Sequence, residues 1–200
     1  MNVTSTKIVP VDRGLWKASA SIVLNNQFIL RDISIVERAE TGVLAVIMPN
    51  RSKPDGTKHA YFRPLDNDIR KKLIELILKD YKLINENPKE IIVWHDKEMK
   101  DPISVTNIRV APIENDPIVQ AIVSVTLDNA IVLNQVRIIK DPEDGREWLS
   151  MPAKKVVFTA EDGERKEKKV PYFHPMSPEC RRMLTQDILR MYQVYLQATA

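Results

Sequence analysis

Cysteine is nearly absent. The single residue, Cys180, excludes a disulfide within the chain and any zinc site that needs two thiolates. It also fits a protein of the reducing cytoplasm. Glycine is scarce, at five residues in 200, and none sits in a Gly-rich phosphate loop. The histidines, His59, His95 and His174, stand far apart and in no metal-ligand spacing. Long apolar runs are missing too: the longest, Val43 to Met48, falls far short of the ~18 residues of a membrane span. Met1 to Lys7 has no basic segment followed by an apolar one, so it reads as no secretory signal. A dominant charge sign is also lacking. Lys and Arg number 30 and Asp and Glu 27, leaving +3 at pH 7, which permits a polyanionic partner without requiring one. What is present is an ordinary folded balance, 44% apolar and 28% charged, in a length that allows one large domain or two small ones.

The chain resolves that choice by repeating itself. Ala18 to Asn26 answers Ala121 to Asn129 at a separation of 103 residues. The same separation joins Leu30 to Leu133, Ile35 to Ile138, Gly42 to Gly145 and Met48-Pro49 to Met151-Pro152. It widens to 107 between Asp55-Gly56 and Asp162-Gly163, and to 111 from Tyr61-Phe62 and Tyr172-Phe173 onward. Separations that grow only between matched blocks mean loop insertions in the second copy. The expected division is a first copy over 1–84, a polar linker over 85–102 and a second copy over 103–200. Ile91 to Trp94, inside the linker, reads either as a short strand or as a packed tether.

Both copies read alike. Ala18, Ala20, Ile22 and Leu24 alternate with their neighbours, as do Ala121, Val123, Val125 and Leu127, which marks half-buried strands. Asn25-Asn26 and Asp128-Asn129 tolerate the positive φ of two-residue hairpin turns. The next strand is expected to place Ile29, Ile33 and Ile35 on one face, with Val132, Val136 and Ile138 in the second copy. A third apolar run ends at Met-Pro, and Asp55-Gly56 and Asp162-Gly163 signal turns. Each copy closes with a helix. Asp66 or Asn67 caps the first, whose stripe is Ile69, Leu73, Leu76, Ile77 and Tyr81. Ser177 caps the second ahead of Pro178 and Glu179, with a stripe of Cys180, Leu184, Ile188 and Met191. Strands followed by a single helix, without βαβ alternation, predict an α+β fold with antiparallel sheets.

The matched blocks assemble into Ala18-x-Ala20-Ser21-Ile22-x-Leu24, then Phe28-x-Leu30-x-Asp32-Ile33-x-Ile35. Met48-Pro49-x-Arg51-x-x-Pro54-Asp55-Gly56 follows, then Arg63-Pro64-Leu65 ahead of Arg70. This pattern resembles the stage V sporulation protein G family of septation regulators. The family's His-Pro is Arg63-Pro64 in the first copy and His174-Pro175 in the second, and Asp32-Ile33 becomes Gln135-Val136. The resemblance implies a bacterial regulator that binds DNA and RNA with little sequence preference, and dimers built by sheet pairing. For a tandem chain it implies an intramolecular pseudo-dimer, with further homo-oligomerisation open.

Charge becomes informative once localised. Arg51 to Lys72 holds seven basic and three acidic residues, and Lys154 to Arg182 holds eight and five. Both clusters fall on the loop after Met-Pro and the start of the helix. Cations there would neutralise phosphates and release condensed counterions, and a helix start adds N–H donors. By themselves the residues leave two readings open, a phosphate-binding surface or solvated loops; the resemblance favours binding. The expected nucleic-acid contacts are Arg51, Lys53, Lys58, Arg63, Arg70 and Lys71 in the first copy. In the second they are Lys154, Lys155, Arg165, Lys166, His174, Arg181 and Arg182. Tyr61 and Tyr172 stay open as rings for base stacking. Phe62, Phe173, Tyr81 and Tyr192 read as core, and Trp16, Trp94 and Trp148 as packing residues.

No catalytic constellation is visible. Cys180 answers Ile69 on the apolar stripe and reads as a small buried hydrophobe. Asp32, Asp55 and Asp162 occupy strand or turn positions, and no acid pair recurs in both copies. The expectation is a non-enzymatic cytoplasmic protein with no cofactor, no metal and no membrane partner, acting on DNA or RNA. A second reading keeps the scaffold and exchanges nucleic acid for a protein partner, because Ile103 to Ala200 carries 13 basic and 13 acidic residues.

Overall fold

The computed structural model describes residues 1–84, 89–160 and 163–199. Asn85 to Pro88 of the linker, Glu161-Asp162 of the second turn and the terminal Ala200 lie outside the described residues. The first copy contains β1 (Val3–Arg13), β2 (Trp16–Leu24), β3 (Phe28–Glu37) and β4 (Leu44–Ile47). Then come β5 (Asn50–Ser52), β6 (Lys58–Ala60), β7 (Phe62–Pro64) and α1 (Asn67–Tyr81). After β8 (Ile91–Trp94) the series recurs as β9 (Val105–Pro112), β10 (Val119–Leu127), β11 (Ile131–Lys140) and β12 (Glu147–Ser150). It ends with β13 (Ala153–Thr159), β14 (Arg165–Pro171), β15 (Phe173–Pro175) and α2 (Pro178–Thr199). Every strand pair is antiparallel, so the fold is α+β.

The alternating strands bury the expected faces: Ala18, Ala20, Ile22 and Leu24 in β2, and Ala121, Val123, Val125 and Leu127 in β10. The turns between strands sit in the left-handed region, with φ of 46 and 56 at Asn25 and Asn26 and of 48 and 50 at Asp128 and Asn129. That conformation matches the twist of flanking strands in a two-residue hairpin.

The third strands depart from simple alternation. Ile29 is only half-buried, and the covered face of β3 runs Phe28, Leu30, Ile33, Ile35. Asp32, at φ 66, lies where the register slips between the Ile22–Leu30 and Ala20–Ile33 pairs. One extra residue in a strand switches the face presented by everything beyond it. Gln135, at φ 65, does the same in β11, so Ile131 and Leu133 share the buried face with Val136 and Ile138.

The bulge divides the outer edge of each third strand. On one side of it the edge pairs within its own copy, β3 with β4 and β11 with β12. On the other side the edge is filled by the opposite copy. Phe173 and Pro175 of β15 pair with Leu30 and Phe28, while Phe62 and Pro64 of β7 pair with Leu133 and Ile131. The exchange is locked by aromatic side chains. Phe62 and Phe173 are both 0% exposed and meet edge to face at 6.5 Å. Tyr61 and Tyr172 stack at 3.9 Å with 14° between their planes. Buried side chains of both copies form one continuous core.

Asp66 caps α1, accepting from the Ile69 N–H at 2.8 Å, and Ser177 caps α2, accepting from the Cys180 N–H at 3.1 Å. The buried face of α2 is Leu184, Ile188 and Tyr192. Met191, expected on that stripe, is 36% exposed, because four-residue steps from Leu184 lead to Tyr192 instead. The described part of the linker is firmly held. Ile91 to Trp94 pairs with β1, and the Asn26 side-chain amide donates to the carbonyls of Lys97 and Met99 at 3.1 Å each. His95 lies 2.9 Å from the carboxylate of the buried Asp80 and 3.2 Å from the Thr6 hydroxyl.

Candidate nucleic-acid interface

Proline after Met48 and Met151 ends ladder donation, and the chain then folds back as a separate two-stranded ribbon in each copy. In the first ribbon Arg51 lies opposite His59, and Ser52 opposite Lys58. Its turn is closed by Asp55, whose carboxylate accepts from the Thr57 N–H at 2.8 Å and the Thr57 hydroxyl at 2.6 Å. Those bonds hold Asp55 below the usual carboxylate range, with smaller help from Lys53 and His59. Arg51, Lys53 and Lys58 on this ribbon, Arg63 on β7 and Arg70 and Lys71 on α1 are all exposed. None of the six has an ion pair among the described residues. Arg63 and Arg70 line one open cleft beside the α1 cap, and Arg63 also borders a smaller one with Arg109 and Asn134.

The second ribbon is longer, with seven residue pairs running from Ala153–Pro171 to Thr159–Arg165. Its cations are more engaged. Lys155 pairs with Glu167 at 3.2 Å, Lys166 with Glu164 at 3.5 Å, and Lys154 reaches across to Asp32 of the first copy. Arg165, Arg181 and Arg182 are exposed. His174 sits half-buried on β15, where burial first, then Arg31 and Arg181, hold it below the usual histidine value; a bond to the Pro175 carbonyl at 2.7 Å works the other way. That carbonyl accepts from Nδ1, which leaves Nε2 as the acceptor nitrogen of the neutral ring. The helix starts also offer fewer free donors than their position implies, because Asp66 and Ser177 already occupy one N–H each.

Phe62, Phe173 and Tyr192 are buried as expected, and Tyr81 packs against the core. Tyr61 and Tyr172 each cover one face of the other, and burial, then Tyr61 and Asp32, push the Tyr172 hydroxyl up to about 12. Trp16 is half-buried and donates to the Ala18 carbonyl at 2.9 Å. Trp94 and Trp148, expected to pack, are 52% and 40% exposed, because they lie on outer strands with one open face. Phe158, which no motif marks, is exposed on β13 with the Lys168 ammonium 5.0 Å from its ring centre. Its sequence signal is faint: one ring in a lysine-rich insertion. Among the described residues no group of three or more His, Cys, Asp or Glu could hold a metal, and no helix is long and apolar enough to cross a membrane.

A family model described as SpoVG matches residues 1–83 and 103–194. Among curated proteins, a SpoVG septation protein of Caldanaerobacter subterraneus is 33% identical over 88 residues, 44% of this chain and 94% of its own length. One from Myxococcus xanthus is 33% identical over 81 residues, 40% of this chain and 80% of the relative. One from Bdellovibrio bacteriovorus is 35% identical over 81 residues, 40% of this chain and 73% of the relative.

Proposed function

The chain belongs to the SpoVG family, and from that premise we propose a non-enzymatic, cytoplasmic regulator that grips nucleic acid by its phosphates. Relatives carry names that tie them to septation, and a regulatory role beside that process is the reading carried over here. The observation that carries the proposal is the first basic surface. Arg51, Lys53, Lys58, Arg63, Arg70 and Lys71 are exposed and without ion-pair partners among the described residues, so phosphate contact breaks no existing pair. Lys154, Lys155, Arg165, Lys166, Arg181 and Arg182 extend the surface in the second copy. Phe158 adds an exposed ring among lysines, the pairing that single-strand binders use to stack bases. The reciprocal strand exchange supports a single pseudo-dimeric unit, so both ribbons act on one strand.

Fluorescence anisotropy with labelled DNA and RNA tests this. The expected result is binding with Kd on the order of 10⁻⁴–10⁻⁶ M, little dependence on sequence, and a steep fall with salt. No binding at low salt, or an Arg51→Glu/Arg70→Glu variant that binds unchanged, would sink the proposal. The ion-paired second ribbon favours a second reading, a protein partner docking there. Nuclease-insensitive recovery of one partner protein, lost on Lys155→Glu, would favour it.

A further inference from the structure

Matched positions of the two copies place different chemistry at the bulges. Asp32 corresponds to Gln135, Ser34 to Arg137, Arg51 to Lys154 and Lys58 to Lys169. Beside Tyr172 the arrangement is closed, because the Asp32 carboxylate takes the Lys154 ammonium. Beside Tyr61 the equivalent carboxylate is an amide. A cleft of about 190 Å³ opens there between the copies, lined by Arg51 and Tyr61 from the first and Gln135, Arg137, Ser150 and Lys169 from the second. Among the described residues no carboxylate lines it. Asp116 lies within electrostatic reach of Arg137, but its carboxylate accepts from the Ile118 and Val119 N–H groups at 2.9 Å each.

We infer that this cleft is a binding site for a single phosphate monoester group. Three cations from three separate elements converge on it, and the Gln135 amide and Ser150 hydroxyl supply neutral donors. Arginine presents a planar fork that matches phosphate oxygens in pairs, and two of the three cations are arginines. A monoester carries about −1.5 to −2 charge at pH 7, more than an internal diester, and so matches the cation count better. The volume lies below the ~300–1,000 Å³ of clefts that enclose whole cofactors, so it suits a phosphoryl group with the rest of the ligand outside. Two sources share this chemistry: the phosphorylated end of a nucleic-acid strand, and a small phosphorylated molecule. The site shares Arg51 with the strand-binding surface proposed above, while Gln135, Arg137, Ser150 and Lys169 lie outside that surface, so variants at Gln135 and Arg137 test the cleft alone.

The test uses the full chain and inorganic phosphate, titrated at constant ionic strength against chloride and followed by ¹H–¹⁵N correlation spectra. The expected result is saturable, one-site binding with shifts centred on Gln135, Arg137, Ser150 and Lys169. Gln135→Asp copies the closed cleft and should weaken binding at least tenfold without lowering Tm, since Asp32 already holds that backbone conformation. Arg137→Ser, copying Ser34, should do the same. Phosphate shifts indistinguishable from chloride, or unchanged binding in both variants, would overturn the inference. A 5′-phosphorylated oligonucleotide that binds tighter than its 5′-hydroxyl counterpart, in a manner lost on Gln135→Asp, assigns the strand end as source. Phosphate binding with no end preference assigns a small phosphorylated molecule.

Discussion

The first and second copies share the bulged third strand and differ in the charge it carries. Asp32 and Gln135 sit at φ 66 and 65 and make equivalent bulges, yet only the first carries a carboxylate. The acid neutralises the opposite copy's Lys154, while the amide leaves Arg51 without an ion pair among the described residues, beside Arg137 and Lys169. Shape and electrostatics are therefore separable at this position. The bulge is a backbone property, served by either residue, whereas the charge depends on whether the side chain ends in a carboxylate or an amide. The ribbons differ in the same sense: short, its cations without ion pairs among the described residues, in the first copy, and long and laced with ion pairs in the second.

The strongest way to break the equivalence of the exchanged strands is to truncate their anchors. Phe62→Ala and Phe173→Ala each remove a fully buried ring, and each should cost about 3–5 kcal/mol in chemical denaturation. A large inequality between them would mean that one exchanged strand contributes far less than the other. A smaller effect distinguishes the helices. Asp80 is buried against His95, while its counterpart Met191 is exposed. Asp80→Asn should cost about 1–3 kcal/mol, and Met191→Ala should fall within about 0.5 kcal/mol of the parent.

The ribbons can be compared by charge reversal. Arg51→Glu/Arg70→Glu should lower nucleic-acid affinity more than Lys155→Glu/Arg181→Glu, because Lys155 is already paired. Each pair of lost phosphate contacts should flatten the salt dependence by about two in slope. The smallest contrast is His174 against Arg63. His174 is held below its ordinary value, so the unfolded chain binds a proton more readily than the folded one. Stability should fall as pH drops through the ordinary histidine value of about 6.5, and be restored above it. His174→Arg, which copies Arg63, should remove that part of the pH dependence, as read from urea midpoints between pH 5 and 8.

Much of the fold was legible because it rests on local chemistry. Asn25-Asn26 and Asp128-Asn129 announce their turns by tolerating positive φ, Asp66 and Ser177 announce the helix starts, and the alternation in β2 and β10 names the core. The basic residues of the candidate interface were visible in the same way, as clusters at matched positions. The bulges were not, since neither Asp32 nor Gln135 differs in hydropathy from an ordinary exposed strand residue. Arg137 carries no such signal, because it lies outside the basic clusters and joins Arg51 and Lys169 only across the boundary between copies.

By itself the sequence determined the duplication, the antiparallel α+β elements of each copy and where positive charge collects. These follow from residue periodicity, turn preferences and capping, which act over a few neighbouring positions. The tertiary structure alone decided which sheet edge each Phe-x-Pro strand completes, which face lies beyond each bulge, and which cations share a cleft. Those outcomes depend on edge geometry and on partners more than 60 residues away in sequence, such as Phe62 on Leu133 and Phe173 on Leu30.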